Sequence, residues 1–587
     1  MSGGSAKVWT RRRGCDVDRT VKRILNFPRA VLSALTCGDR DIALPVLLSI
    51  SLGLCLYQLN WGLPNGNFSW AADALGPLSV LSIARRSLST FNSGWFWYKY
   101  PFGFPLLLLI AYAPYLAFLV VTGQLSNPSS TYPYGFADAE QALFTMAMLG
   151  RLVNVALIVG TVALVYGLAR RFGDRNSACF AGWFAATAYP LIFYAHTTNQ
   201  DAAYLFWLTL TLWATVVAID SDDRWPYVTL GIGAAMAMAT KEQGIGLLAA
   251  LAVVILVGRF RRQPDDRPLL GRLGGAVWNR QIGAALAATL LATLVGNNAL
   301  VNPMGIVNRI LDLTGHPIPG ISSRLTPLKF ALFKGAAKEI WYLRQLFDVT
   351  VSTFGLPLFL FGCIGLVGLA TLNRRAVFCL VWPMLTYYYV SLRTHDLLAL
   401  RYALPLVPIL SVGAGWLASA LVRRARILGA VAVGVLLVLS LAQGMELLYL
   451  LRTDSRYQAE SWLQANASPG SRIEFYQKPV YVPRLSGFDG RAVPLAERTP
   501  EGLGSRQPQF IVLSSAGRKS ITHYWNPAWE EGKLLLEQPA ARAMLDSIED
   551  GQAGYEVVAT FQQQPRLLRN RITSLCPEIT IYRRIGR

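Results

Sequence analysis

Charge is scarce in this chain, and paired cysteines are missing from it. Asp, Glu, Lys and Arg make up 15% of the 587 residues against 53% apolar ones, too little charge to clothe a soluble fold of this length and enough apolar sequence for repeated membrane-length runs. The chain reads as a polytopic membrane protein. Six cysteines (Cys15, Cys37, Cys55, Cys179, Cys363 and Cys379) fall in the N-terminal segment or in apolar runs, and Cys576 stands alone in a polar tail. That spacing excludes a disulfide framework and a metal-binding cysteine set. His196, His316 and His395 are likewise scattered.

What charge there is has one dominant sign, 55 Lys and Arg against 34 Asp and Glu, for a net +21. Its position decides its meaning. Basic residues gather between apolar runs, at Arg11–Arg13 with Lys22 and Arg23, "ARRFGDR" (169–175), "GRFRRQPDDR" (258–267), "NRR" (373–375) and "RRAR" (423–426). They read as cytoplasmic anchors beside membrane lipids, and nucleic acid is excluded as a partner. The polar, basic lead, residues 1–41, is too long for an ordinary cleaved signal peptide, so residues 42–63 are expected to be a retained signal anchor.

Apolar runs lie near 42–63, 101–123, 147–169, 177–195, 202–219, 226–240, 244–258, 282–301, 350–371, 376–392, 402–421 and 427–451. If all crossed the membrane, the N-terminal basic cluster and "ARRFGDR" would face opposite sides. If 101–123, which carries Pro101, Pro105 and Pro114, lies along the surface, every basic cluster falls on one side. The expectation is therefore an all-α membrane domain (42–451) of about eleven transmembrane helices, with juxtamembrane helices in a first outer loop (64–146). The tail, 452–587, changes composition: a helix-like "YQAESWLQAN" is followed by "RIEFY", "FIVLSS", "YEVVATF" and "EITIYRR". It reads as a small extracytoplasmic α/β domain. The predicted localisation is a multi-pass inner-membrane protein with a cytoplasmic N-terminus.

On this topology the outer face collects charges close to span ends. They are Asp73 in "NFSWAADALG", Lys99, Asp201 in "HTTNQD", Lys241 and Glu242 in "ATKEQG", His316 and Arg324 in the loop 302–349, and Arg401 with His395 and Asp396 in "RTHDLLALR". Charges at a membrane boundary are costly enough to suggest a polar site.

The order of these features resembles the GT-C superfamily of membrane glycosyltransferases: an outer-loop Asp, Tyr-Pro opening an apolar helix, Arg151 at a span start, a Pro-containing span ending in a loop with Asp201, then Thr240-Lys241, and Arg401-Tyr402 before a Pro-rich run. It is similar to bacterial protein O-mannosyltransferases and to the lipid A aminoarabinose transferase, over roughly residues 40–420. The resemblance implies a polyprenyl-phosphate sugar as donor, an extracytoplasmic acceptor (glycan, lipid or protein) and catalysis on the outer face.

An acceptor hydroxyl must attack the anomeric carbon while a lipid phosphate leaves, so the site needs a carboxylate base and cations for the phosphate. By resemblance Asp73 is the base, inverting the anomeric centre. The family's Asp-Glu pair is here Asp73-Ala74, leaving Asp201 as the accessory carboxylate. Lys241, Arg324 and Arg401 are the phosphate-binding candidates, with Lys99, Glu242 and His316 as further site residues. Each has a plainer reading: Asp73 as a helix cap, Lys241 as a snorkelling lysine paired with Glu242, Arg401 as an anchor. In aminoarabinose-type relatives a Glu before "KP" helps bind a metal; here the stretch reads "WYKYPFG", with Lys99 near that place. No cofactor is assigned, and a divalent metal stays open. A transporter or flippase of lipid-linked sugars is the alternative function, although no inverted repeat is apparent.

Overall fold

The computed structural model describes residues 35, 41–64, 70, 71, 73–95, 100–314, 316, 335–393, 398–525, 535–569, 572 and 574–585. The apolar runs fold as helices, and Asp and Asn side chains fix several of their starts by satisfying amides that no helical carbonyl reaches. Asp138 accepts from the Gln141 amide at 2.9 Å ahead of Ala139–Phe172. Asp174 does the same for Ser177, at 2.8 Å, ahead of Arg175–Thr187, and Asn279 for Ile282, at 2.9 Å, ahead of Arg280–Gly296.

By length and composition, five described helices can cross a membrane, or seven if each of two bent pairs is one span. The sequence predicts about eleven, and the difference lies in where the runs break and in Trp225–Thr240 and Arg280–Gly296, unbroken helices of only 16 and 17 residues. The run 177–195 bends by 55° between Thr187 and Tyr189, ahead of Pro190, and 350–371 bends by 108° at Gly355. The first run is helical only over Ala43–Leu56. The run 376–392 is interrupted by π-helical turns at Val377–Val381 and Tyr388–Leu392. Conversely, Leu406–Arg452 holds two predicted runs that fold back at Ala425 and Arg426, whose dihedrals leave the helical region. There Gly429 meets the Leu421 carbonyl, which a straight helix would hold about 12 Å away along its axis.

Gly103–Val121, the run predicted to lie on the surface, is also long and apolar enough to cross. Its prolines do not interrupt it as a helix: Pro105 sits in the first turn, where no helical amide is lost, and Pro114 is carried inside the helix. Its Leu108, Tyr112 and Leu119 pack with Ala139, Ala142, Leu143 and Met146 of the following helix. Arg151, predicted at a span start, lies well inside Ala139–Phe172 and is fully buried.

The basic clusters do gather at one end of the helical body. Asp174 receives Arg423, Asp220 receives Arg375 at 2.5 Å, and Asp222 receives Arg259 at 2.9 Å and Arg262 at 3.0 Å. The Arg375 guanidinium also lies 5.9 Å from the Phe172 ring, joining "NRR" to "ARRFGDR".

After the helix Ser455–Asn466 the described residues form seven strands: β1 (Arg472–Phe475), β2 (Asp489–Ala492), β3 (Phe510–Ser514), β4 (His523–Trp525), β5 (Leu535–Glu537), β6 (Tyr555–Phe561) and β7 (Ile579–Arg584). Five make one sheet in the order β2-β1-β3-β7-β6, and β4 pairs with β5 separately. β1 is parallel to β2 and β3, while β7 runs antiparallel to β3 and β6. Central β3, "FIVLS", is buried throughout, as a strand covered on both faces must be. All four predicted strand segments are strands, and the predicted helix is a helix.

Candidate active site

The chain leaves the helix Ala43–Leu56 through tight turns that are held from several directions. The buried Arg151 guanidinium donates to the Leu59 carbonyl and, at 2.8 Å, to that of Trp61. From the C-terminal side, Asp454 accepts from Trp61 Nε1 at 3.2 Å, the Tyr457 hydroxyl accepts from the Gly62 amide at 2.9 Å, and Arg484 donates to the Leu63 carbonyl at 2.9 Å. Trp70 lies 4.3 Å from the Arg456 guanidinium and 4.6 Å from the Tyr457 ring. The segment carrying Asp73 is therefore clamped between the helical body and the start of the C-terminal domain.

A second clamp joins Asp73 to the loop before Asp201. The Leu75 amide donates to the Thr198 carbonyl at 3.1 Å, and Thr198 Oγ1 donates to the Leu75 carbonyl at 2.7 Å. Buried Asn154 fixes that loop in turn, donating to the carbonyls of Thr197 at 2.7 Å and Asn199 at 2.8 Å. Asn199 Oδ1 accepts from the Asp201 amide at 2.9 Å. Asp201 opens the helix Asp201–Ala218, where the helix dipole favours a negative charge.

Two acid–base pairs result. Lys241 Nζ meets Asp201 Oδ1 at 2.7 Å, with the side chains 5% and 2% exposed. Arg401 meets Asp73 with side chains 20% and 35% exposed, so this pair is the one reachable from outside. Tyr402 ties them together: its ring lies 4.9 Å from Lys241 Nζ and 5.4 Å from the Arg401 guanidinium. The Tyr204 ring covers Lys241 at 5.6 Å. Burial works against the charge on Arg401, but the carboxylates of Asp73 and Asp201 outweigh it and hold the guanidinium protonated. Tyr100 sits within the same field. Burial raises its phenol, Arg401 opposes that, and Asp201 and Asp73 add to it.

Beside the pairs lies a cavity of about 260 Å³, with Tyr100, Phe102, Met238, Glu242, Asn302 and Arg309 among its walls. Glu242 pairs here with Arg309. The close approach that shapes this corner needs Gly103, since a Cβ there would lie 2.6 Å from the Ala239 carbonyl oxygen.

The structure thus brings together Asp73, Asp201, Lys241 and Arg401, with Glu242 adjoining. Two of the plainer readings, for Asp73 and Lys241, fail. Asp73 does not cap the next helix, Pro77–Leu88, whose N-cap is Gly76. Lys241 is buried against Asp201 rather than snorkelling beside Glu242, and Arg401 holds a carboxylate. His316 is exposed and bonds Thr314 Oγ1 at 2.9 Å, not a member of the cluster. Lys99 and Arg324, with His395 and Asp396, lie outside the described residues. Tyr100 and Arg309 were missed as site residues. In the sequence Tyr100 only opens an apolar helix, and nothing local marks Arg309 within the amphipathic helix Pro303–Leu313. Among the described residues no three His, Cys, Asp or Glu side chains gather as metal ligands would.

A helical membrane body with a polar acid–base cluster at one end of its helices is the class that fold and site define. Residues 142–270 match the family model of the dolichyl-phosphate-mannose-protein mannosyltransferases. This bears out the resemblance to GT-C membrane glycosyltransferases, and the matched segment contains Arg151, Asn154, Asp201, Lys241 and Glu242. No curated protein matches the chain. Among solved structures, ArnT from Cupriavidus metallidurans in the apo state is 13% identical with a TM-score of 0.47, the alignment covering 92% of this chain and 97% of that one. ArnT bound to undecaprenyl phosphate is 14% identical with a TM-score of 0.43, at the same coverage. The Archaeoglobus fulgidus oligosaccharyltransferase tethered with an acceptor peptide is 11% identical with a TM-score of 0.42, covering 93% and 89%. At such scores no residue of this chain is paired with one of theirs.

Proposed function

We propose that this protein transfers a sugar from a polyprenyl-phosphate donor to a hydroxyl acceptor, at the end of the helical body where Asp73 and Asp201 lie. The observation that carries the reading is the meeting of Asp73 with Arg401, distant in sequence, as a partly exposed acid–base pair next to the buried Asp201–Lys241 pair. The matched family supports the donor class, since its description names dolichyl-phosphate mannose, a sugar carried on an isoprenoid lipid phosphate.

Arg401 and Lys241 are the cations for the donor phosphate. A guanidinium offers two parallel donors to phosphate oxygens, and Lys241 adds a point charge behind it. When the phosphate engages Arg401, the Asp73 carboxylate is released from its partner and becomes available to the acceptor. Asp73 then takes the hydroxyl proton as that oxygen attacks the anomeric carbon from the face opposite the departing phosphate, inverting the centre. The bond from sugar to phosphate breaks, and the phosphate leaves with its negative charge met by Arg401. Asp201 positions Lys241 and is too buried to reach an acceptor itself. The cavity walled by Glu242 and Arg309 lies against Tyr100 and offers both polar and apolar surface to one of the substrates. The reactive end is assigned to the outside of the membrane, with Gly103–Val121 along the surface and the basic clusters in the cytoplasm.

The test compares Asp73→Asn with Asp73→Ala for folded yield and for consumption of a radiolabelled polyprenyl-phosphate sugar. Asn folded like wild type but nearly inactive is the expected result. Near-normal turnover by Asn would remove Asp73 as the base.

A further inference from the structure

At the opposite end of the helices the structure holds a second polar pocket that the proposed reaction does not use. It has a volume of about 270 Å³, with Asp220, Arg261, Arg262, Arg375 and Phe378 among its walls. The last arginine of the helix Ile245–Arg261 and its cap Arg262 meet Arg375 of "NRR" here, and the helix separates this pocket from Lys241 by about 25 Å.

Three guanidiniums and one carboxylate line it, so the walls carry a formal excess of positive charge. The arginines are not equally occupied. Arg375 donates to Asp220 at 2.5 Å and to the Val216 carbonyl at 2.8 Å, which fixes it as part of the wall. Arg262 donates to Asp222, itself outside the pocket, at 3.0 Å. Arg261 makes no ion pair among the described residues, and its guanidinium stands 5.5 Å from the Phe378 ring. A simple membrane anchor needs only charge in water. Here the charge is gathered in a concave site, and one fork is held by an aromatic face instead of an acid.

Below the charged rim the surface is apolar. Val253 and Leu256 on one helix, and Phe378, Trp382 and Leu385 on the neighbouring segment, are large side chains left exposed. Helix Ile245–Arg261 packs against Trp382–Tyr387, and Val254, Val257 and Phe378 of the neighbouring segments form an apolar seam in the pocket beside the arginines. A basic rim over an apolar seam between helices matches an anionic lipid, head group at the rim and chains along the seam.

We infer that this pocket binds a phosphate group, with Arg261 and Arg262 as the forks that grip it and Arg375 as the fixed wall, and that an anionic phospholipid head group presents it. The site is independent of the donor phosphate proposed at Arg401.

The experiment uses the full chain purified in detergent, with bound lipid read by native mass spectrometry and stability by thermal melting. Phosphatidylglycerol is compared with phosphatidylcholine, and inorganic phosphate is added as competitor. Wild type should retain phosphatidylglycerol over phosphatidylcholine, and Arg261→Gln and Arg262→Gln, made singly, should each weaken that retention about ten-fold, the effect of roughly one charge-assisted contact. Arg272→Gln, which removes the same charge at the same end but outside the pocket, should leave it unchanged. Competition by inorganic phosphate would support the phosphate as the gripped group. Stabilisation by inorganic phosphate without any preference for phosphatidylglycerol would keep the anion site and overturn the lipid as its source. Equal retention of the two lipids with no effect of phosphate, or equal losses in all three variants, would overturn the inference. Because none of these readouts involves sugar transfer, failure here and failure of the proposed reaction are separable.

Discussion

Removing the charge of Lys241 isolates the energetics of the buried pair at the heart of the site. Its nitrogen lies 2.7 Å from Asp201, and neither side chain is more than 5% exposed. Lys241→Met keeps much of the stem volume but leaves Asp201 as a buried carboxylate without its cation. Breaking such a pair from one side typically costs about 3–5 kcal/mol, because the remaining charge has lost its compensation. Asp201→Asn should cost less, since the ammonium keeps the faces of Tyr402 and Tyr204. The double variant removes both charges and should recover most of the loss, giving a coupling of at least about 2 kcal/mol across the cycle. The assay is thermal unfolding in detergent, followed by tryptophan fluorescence and by the fraction surviving size-exclusion chromatography. Single variants within about 0.5 kcal/mol of wild type, with effects that simply add, would refute the buried pair. The double variant should fold yet use donor poorly, because the phosphate has lost a cation.

Four further outcomes follow. Asp73→Asn should fold normally and lose on the order of 10² to 10⁴ in turnover of a lipid-linked sugar, the usual reach of a general base. Arg401→Ala should weaken donor use more than acceptor use, with Arg401→Lys intermediate because it keeps charge and loses the fork; equal effects on both substrates would count against a phosphate contact. Single cysteines at Ser129 and Ser515 should label with an impermeant thiol reagent in intact cells and one at Asn373 should not, whereas the reverse pattern would overturn the orientation. Asp174 is raised by burial but lowered by more through hydrogen bonds from Ser177 and Ser419 and the charge of Arg423. Its folded pKa is thus depressed, so its stabilisation is present above the usual 3.8 and is lost as pH falls below it, which melting curves of wild type and Asp174→Asn should show as convergence in acid.

Apolar runs and basic clusters were legible in the chain because membrane insertion acts on local composition. A helix needs only its own backbone partners in lipid, so "ARRFGDR", "GRFRRQPDDR", "NRR" and "RRAR" mark the same end of the body in sequence as they do in space. The alternation in "RIEFY" and "EITIYRR" likewise declared strands before any partner strand was known. Breaks were less readable. Gly355, the turn at Ala425–Arg426 and the π-helical turns shorten or fold runs that composition alone draws as continuous.

By itself, then, the sequence determined a helical membrane body, a small α/β tail, one basic end, and the identity of Asp73, Asp201, Lys241 and Arg401 as candidates. Only the tertiary structure decided who meets whom. Asp73 could have capped the next helix and Lys241 could have turned to Glu242, since both choices satisfy local rules. They are overruled by long-range constraints: the Leu75–Thr198 hydrogen bonds carry Asp73 to the Asp201 loop, and the approach of Tyr402 places Arg401 beside both. Arg309 came to Glu242 in the same way. An ion pair between residues far apart along the chain leaves no periodicity and no local signature, because its energy depends on distance in space and on shared burial, which exist only once the helices have packed.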